Sequence, residues 1–315
     1  MWRTLFPALA LALCPVQSLW AQASSVAEGQ TKDESGAEII VPGSRDKAAQ
    51  KKAINRYIRA VMRTERSGQY ARFGAPICPS AIGFSEGVDL LVEERIRVVA
   101  RAAEVSVAEE NCDPNLHVVI VEDGKDAIGA LRRKHRGAFG RMRPYDREQI
   151  ERGPGPVYNW HTVLPISSSD GRNRGMMGTG YVGGFGPAAE QLGDPAYNAA
   201  VVRRDSRIVQ PNNQEIRHGF VLIEREAVRG LSVTQVADFA TMRGLLSATS
   251  ESKELQSVDT IMTLFDSPLQ ERPPSLREWD LALLTALYKA APDMKAQRQR
   301  SEMARIFEAT LTQDN

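Results

Sequence analysis

The sequence predicts an α+β fold in which a mixed sheet packs against helices and one disulfide links two of its segments. Apolar residues recur at steps of three and four in segments such as Val88–Ala103, which indicates amphipathic helices. Short apolar runs such as Leu116–Val121 indicate buried strands. Because helices and strands alternate along the chain, a layered structure that contains both is expected.

The first 23 residues have the layout of a secretory signal peptide. Arg3 precedes a run of about a dozen apolar residues, and Ala21–Ala23 supplies the small-x-small pattern of a cleavage site. The apolar run is shorter than the roughly 20 residues needed to span a bilayer. We predict cleavage after residue 23, a periplasmic or secreted location, a flexible leader over 24–45 and a single α+β domain over 46–315.

A lipoprotein is the alternative reading of the same segment. Leu11–Cys14 resembles a lipobox, in which Cys14 is lipidated and becomes the new N-terminus. A lipobox has a small residue just before the cysteine, however, and Leu13 is not small. Without a lipid the product is expected to be soluble, because no later segment is long and apolar enough to be a transmembrane segment.

The charge balance argues against nucleic acid as a partner. Removal of residues 1–23 takes away Arg3 and no acidic residue, which leaves 39 residues of each sign. A chain without net charge lacks the basic surface that phosphate backbones require.

Two cysteines remain in the mature chain, Cys78 and Cys112. In an oxidising compartment they are expected to form a structural disulfide. The loop that they close holds about 35 residues, which corresponds to a stabilisation of about 3–4 kcal/mol. No cysteine is then left for metal binding or nucleophilic catalysis.

The remaining elements follow from apolar periodicity and from capping residues. Ser232, followed three residues later by Gln235, is a capping box at the start of a helix. Ser275 and Glu278 repeat the pattern, and Pro292 ends the helix that they begin. Helices are predicted over 46–62, 88–103, 126–134, 232–244, 276–288 and 295–311, and strands over 76–82, 116–121, 157–164 and 216–224.

The segment Gly171–Pro187 contains seven glycines and is predicted to be a surface loop. Long loops are often binding loops. Together with the neighbouring Tyr158, Trp160 and His161, it forms a candidate binding surface. Ordinary core packing is the alternative explanation for these aromatic side chains.

No metal or cofactor is expected. The four histidines, at 117, 135, 161 and 218, are scattered and form no His-x-x-x-His pair. Gly178–Gly183 matches Gly-x-Gly-x-x-Gly, but no apolar strand precedes it, so the context of a dinucleotide-binding turn is missing.

Gly83–Gly87 matches the Gly-x-Ser-x-Gly pattern of a nucleophile elbow, with Ser85 at its centre. It lies between a predicted strand and a predicted helix, which is the context that the motif requires. The alternative is structural, with Ser85 capping the helix that starts near Gly87.

The late elements are similar in order to the catalytic half of zincin-type metalloproteases. An edge strand over 220–224 is followed by a capped helix over 232–246, a long loop and a helix over 276–288. In that family the first helix carries His-Glu-x-x-His, with a glycine three residues after the second histidine.

Anchored on Gly244, the matching positions are Ala237, Asp238 and Thr241. Both ligand histidines are absent and aspartate replaces the glutamate. The resemblance therefore implies a zincin-like shell that does not hold zinc.

Two further segments, Glu38–Arg45 and Thr234–Ala240, resemble exported proteins of Gram-negative bacteria that have no assigned activity. That resemblance implies a location but no chemistry. We expect an exported, non-catalytic envelope or binding protein with a partner in the cell envelope. A serine hydrolase that acts through Ser85 is the alternative.

Overall fold

The computed structural model describes residues 44–140, 142–168, 171, 210–248, 255 and 258–313. The predicted signal peptide, Cys14, nearly all of the predicted leader and the glycine-rich segment beyond Gly171 lie outside the described residues. Among the helices that are described, none combines the length and the apolarity needed to cross a bilayer.

Helices lie on both faces of a twisted sheet. The elements follow one another along the chain as α1 Ser44–Val61, β1 Arg72–Phe73, β2 Pro79–Ile82, α2 Val88–Ala102, β3 Leu116–Val121, α3 Gly124–Lys134, α4 Pro144–Glu151, β4 Val157–Ser167, β5 Asn212–Glu224, α5 Val233–Leu245, α6 Glu278–Lys289 and α7 Ala296–Gln313.

The sheet is organised around β5. The second half of β5 pairs in parallel with β3, which pairs in parallel with β2, and its first half pairs in parallel with the short β1. On its other side β5 pairs antiparallel with β4. The predicted mixed sheet with packed helices is confirmed. Because most pairs are parallel and α2 connects β2 to β3, the architecture is mixed α/β.

Two local predictions are wrong. The segment 220–224, predicted as an edge strand, lies inside the sheet between β3 and β4. Its unbroken apolar run is typical of a strand that is covered on both faces. In addition, α6 begins at Glu278, and Asp280 accepts from the N–H of Arg277 at 2.9 Å, so Ser275 and Glu278 form no capping box. The predicted capping box of Ser232 and Gln235 is confirmed.

Each face of the sheet carries its own hydrophobic cluster. Alternate residues of β3 and β5 point to opposite faces. The larger cluster joins one face to α1, α2, α5, α6 and α7. The smaller one lies under α3 and the turn at 136–139, where Phe139, Trp160, Phe220 and His117 form a stacked row with ring centroids 4.8–5.1 Å apart.

The predicted disulfide between Cys78 and Cys112 is confirmed. It joins the residue before β2 to the loop that leads into β3. In the same loop the carbonyl of Ala108 accepts from Arg97 Nη1 of α2 at 2.8 Å. The covalent link and the hydrogen bond together hold this loop against the α2 side of the sheet.

Asp280 is a fully buried carboxylate that joins three parts of the helical layer. Its Oδ1 accepts from Tyr57 of α1 at 2.7 Å and from Thr260, and its Oδ2 accepts from the N–H groups of Ile261 and Arg277. Burial raises the pKa of Asp280, although these four donors oppose the shift. Removal of the carboxylate would leave the N–H groups of Ile261 and Arg277 without their acceptor, and Tyr57 and Thr260 with only each other.

We expect Asp280→Ala to lower the free energy of unfolding by at least about 3 kcal/mol, since several buried donors lose their acceptor together. The matched control is Asp259→Ala, which removes an exposed carboxylate paired with Arg277 and should cost less than about 1 kcal/mol. Urea unfolding of both variants measures the difference. Equal losses would show that the buried network contributes little.

Candidate functional site

A cavity of about 660 Å³ opens along the outer edge of β4. On one face of the sheet it is bounded by the last turns of α5 and by residues 265–266. On the other face it is bounded by the segment 139–156, and the loop 63–67 closes a third side. The edge of the sheet therefore runs along the inside of a slot with a wall on either face.

The backbone of β4 directs toward this slot hydrogen-bonding groups that no other described residue uses. The N–H of Glu224 donates to the carbonyl of Pro156 at 2.9 Å, whereas the N–H of Gly219 turns away and donates to Asn115 on the β3 side. In an antiparallel pair these orientations alternate. Hydrogen bonds between described residues use none of the outward-facing N–H and C=O groups, which belong to Val157, Asn159 and His161.

His161 connects the edge of the sheet to α5. Its Nε2–H donates to the carbonyl of Gly244 at 2.8 Å, and its ring is half-buried in the cavity wall. Burial lowers the pKa of His161 to about 4, the hydrogen bond to Gly244 opposes this shift, and Arg63 adds to it. The imidazole is therefore neutral at neutral pH and acts as a donor to the helix.

Among the described residues, the charged side chains that line the cavity carry a formal excess of one positive charge. Four arginines line it, at positions 63, 66, 143 and 243, against the three carboxylates of Glu65, Asp146 and Asp266. Asp146 is paired with both Arg66 and Arg143. Burial raises the pKa of Glu65, whose carboxylate lies 3.3 Å from Ser247 Oγ.

Arg243 is the most deeply placed of these cations. Only 8% of it is exposed, and its guanidinium carbon lies 5.3 Å from the centroid of the Phe239 ring. Burial lowers the pKa of Arg243 to about 10, and Asp266 opposes the shift. Shifted pKa values at Arg243, His161 and Glu65 within one cleft are typical of functional sites.

The three aromatic residues singled out from the sequence all adjoin this cavity. The side chains of Tyr158 and Trp160, however, are 4% and 2% exposed and belong to the smaller hydrophobic cluster. The indole N–H of Trp160 donates to the carbonyl of Ala138 at 2.8 Å. These two rings are core residues, whereas His161 presents its ring to the cavity wall.

The positions matched to the zinc motif do not line the cavity. Ala237, Asp238 and Thr241 are all fully buried. The carboxylate of Asp238 accepts from Arg95 Nε at 2.6 Å and Nη2 at 2.9 Å, and from the N–H of Leu276 at 2.7 Å. These contacts bind α5 to α2 and to the start of α6. The residues of α5 that do face the cavity are Phe239 and Arg243.

Ser85 is exposed, and none of the hydrogen bonds between described residues joins it to a histidine. It does not cap α2 either, because the N-cap is Gly87, without a side-chain hydrogen bond. The backbone accounts for both glycines of the motif. Gly83 and Gly87 have φ values of 89° and 80°, and a Cβ on Gly83 would lie 2.5 Å from the carbonyl oxygen of Ile120.

Within the described residues, no group of three or more His, Cys, Asp or Glu side chains is arranged to hold a metal ion. Sequence reasoning missed Arg243, Glu65 and the outward edge at Asn159. Arg243 had a visible signal, since it and Asp238 are the charged residues of the otherwise largely apolar α5. Glu65 and Asn159 had none, because their roles depend on which strands pair.

Comparison of the chain with protein-family models, with curated proteins and with solved structures found no match. Function must therefore be inferred from the geometry of the cavity.

The lowered pKa of His161 predicts a loss of stability on acidification. Between its ordinary value of 6.5 and about 4, the unfolded chain binds a proton that the folded chain does not, so stability falls as the pH falls. His161→Gln, which retains a donor for Gly244, should show a smaller fall. Urea unfolding at pH 7 and pH 5 measures it. His135→Gln, at an exposed histidine, is the control, and an equal change in both variants would contradict the prediction.

We expect no labelling of Ser85 by a serine-reactive fluorophosphonate probe, because no histidine is in place to activate its hydroxyl. Gel detection after incubation at neutral pH, with an authentic serine hydrolase as positive control, is sufficient. Labelling that disappears in Ser85→Ala would restore the hydrolase hypothesis.

Proposed function

We propose that this protein is an exported, non-catalytic binding protein that holds an extended peptide segment of a cell-envelope partner along β4. The observation that carries the proposal is the outward edge of β4. Its N–H and C=O groups at Val157, Asn159 and His161 face a cavity, and none of the described strands pairs with them. A peptide that adds to a sheet edge satisfies such groups with its own backbone.

The walls of the slot favour a single chain as the occupant. The segment 139–156 rises on one face of the sheet, and the end of α5 with residues 265–266 rises on the other. An extended peptide is one strand wide and fits between these walls. A strand from a second folded copy brings its own neighbouring strands and helices, which would meet the walls.

The pattern of side chains along the slot suits an extended ligand. Residues of an added strand would point alternately to the two faces of the sheet. Those on one face would meet Arg243 and the half-buried Phe265, and those on the other would meet Met142 and Ile150. Backbone pairing would supply affinity and these two surfaces would supply selectivity.

The chemistry of the cavity favours binding over catalysis. His161 is occupied as a donor to Gly244, and Asp146 is paired with two arginines. With its pKa lowered to about 4, His161 is a weak base at neutral pH, and ion pairs occupy the carboxylate of Asp146, so neither fits the role of a general base.

The test is selection of a peptide followed by a backbone-specific variant. Random peptides as long as the segment Val157–Val163 are displayed on phage and panned against the purified protein. The affinity of a selected synthetic peptide is then measured by calorimetry. We expect Asn159→Pro to weaken binding at least about tenfold, because it removes one outward N–H and places a ring on the edge.

Asn159→Ala is the matched control, since it keeps the N–H and should change affinity less than about threefold. Methylation of alternate peptide amides adds an independent test, because only the set that faces β4 should abolish binding. Failure to select any peptide, or equal binding by both Asn159 variants, would contradict strand addition. If the native protein is a dimer and Asn159→Pro is a monomer, the edge of β4 binds a second copy of the chain instead.

A further inference from the structure

We infer that the segment bound along β4 carries a carboxylate, as an aspartate or glutamate side chain, and that Arg243 in the α5 wall of the slot receives it. The inference rests on the proposed function, since it names the chemistry of the peptide that strand addition would hold.

The position of Arg243 is the first observation. It lies in the last turn of α5, next to Gly244, whose carbonyl accepts from His161 of β4. Arg243 lines the same cavity as Val157, Asn159 and His161, the residues of β4 whose backbone faces outward. A peptide side chain that points toward α5 from an added strand would enter the space lined by Phe265 and Arg243.

The burial of Arg243 is the second observation. A cation that is 8% exposed has lost most of its hydration, and a charge-assisted hydrogen bond gains strength in such surroundings. Arg243 has interactions of its own within the chain, and it packs over Phe239. These contacts hold the planar guanidinium in place, so that a ligand carboxylate meets an ordered group and not a mobile side chain.

The charge of the remaining walls is the third observation. Arg66 and Arg143 together surround Asp146, and the exposed Asp266 is the carboxylate whose field acts on Arg243. The described residues that line the cavity carry a formal excess of one positive charge. An acidic peptide is therefore favoured in approaching the slot, whereas a basic one is repelled.

The experiment compares two synthetic peptides that differ only in a side-chain carboxylate, which the second peptide replaces with an amide. Panning of the phage library, as described above, should enrich aspartate or glutamate at one position. The selected peptide and its counterpart with asparagine or glutamine at that position are titrated into the protein. We expect the acidic peptide to bind about 10- to 100-fold more tightly to the native chain.

Arg243→Gln should remove this preference, so that both peptides bind with affinities within about threefold of each other. Arg243→Lys should keep a reduced preference, because it retains the charge and loses the two-pronged geometry. Arg229→Gln, at an exposed arginine outside the cavity, is the matched control and should leave the preference unchanged.

Since replacement of a buried arginine can impair folding, a measurement on the native protein accompanies the variants. The Nε–Hε resonance of Arg243 should shift with the acidic peptide and not with the neutral one. Equal binding of both peptides would overturn the inference while leaving strand addition intact. A preference that Arg143→Gln abolishes and Arg243→Gln preserves would also overturn it. If no peptide binds at all, the proposed function itself fails.

Discussion

The close crossing of α5 over β5 determines the geometry of the rest of the molecule. Helix and strand meet at two glycines, and a Cβ on Gly219 would lie 3.0 Å from the carbonyl oxygen of Gly244. A Cβ on Gly244 would lie 2.4 Å from Leu116 Cδ1 of β3. This contact brings the Gly244 carbonyl within reach of His161, so that the last turn of α5 is bound to β4. The depth of the cavity at its α5 wall depends on this approach.

The two charged residues of α5, Asp238 and Arg243, have different surroundings. Asp238 points into the protein, where Arg95 and the N–H of Leu276 compensate its charge completely. Arg243 points to the cavity, where the opposing carboxylate of Asp266 is exposed. A buried charge is costly unless it is paired. The first charge fixes the helix in the fold, and the second gives the slot its electrostatic character.

Local patterns were sufficient for most elements and for the disulfide, but not for the site. The helices at 88–103 and 232–244 and the strand at 116–121 follow from apolar periodicity and capping, which depend on neighbours in sequence. The order of strands depends on pairing between distant segments, such as 157–167 with 212–224, and no local signal encodes it. For this reason the sequence wrongly predicts an edge strand at 220–224.

Of the site, the sequence predicts His161 as a candidate binding residue, but it does not predict the outward-facing backbone of β4 beside it. The export signal, the lipid alternative at Cys14 and the glycine-rich loop stay predictions.

The separation of the interior into two hydrophobic clusters has a spectroscopic consequence. The chain contains four tryptophans, and two of them, Trp2 and Trp20, fall within the predicted signal peptide. The mature protein then holds one indole in each cluster. Trp279 packs edge-on against Tyr57 and Phe307 on the helical side, and Trp160 stacks between Phe139 and Phe220 beside the slot. If the predicted signal peptide is removed, the tryptophan fluorescence is the sum of two emitters, and a single tryptophan-to-phenylalanine change isolates the emission from either cluster.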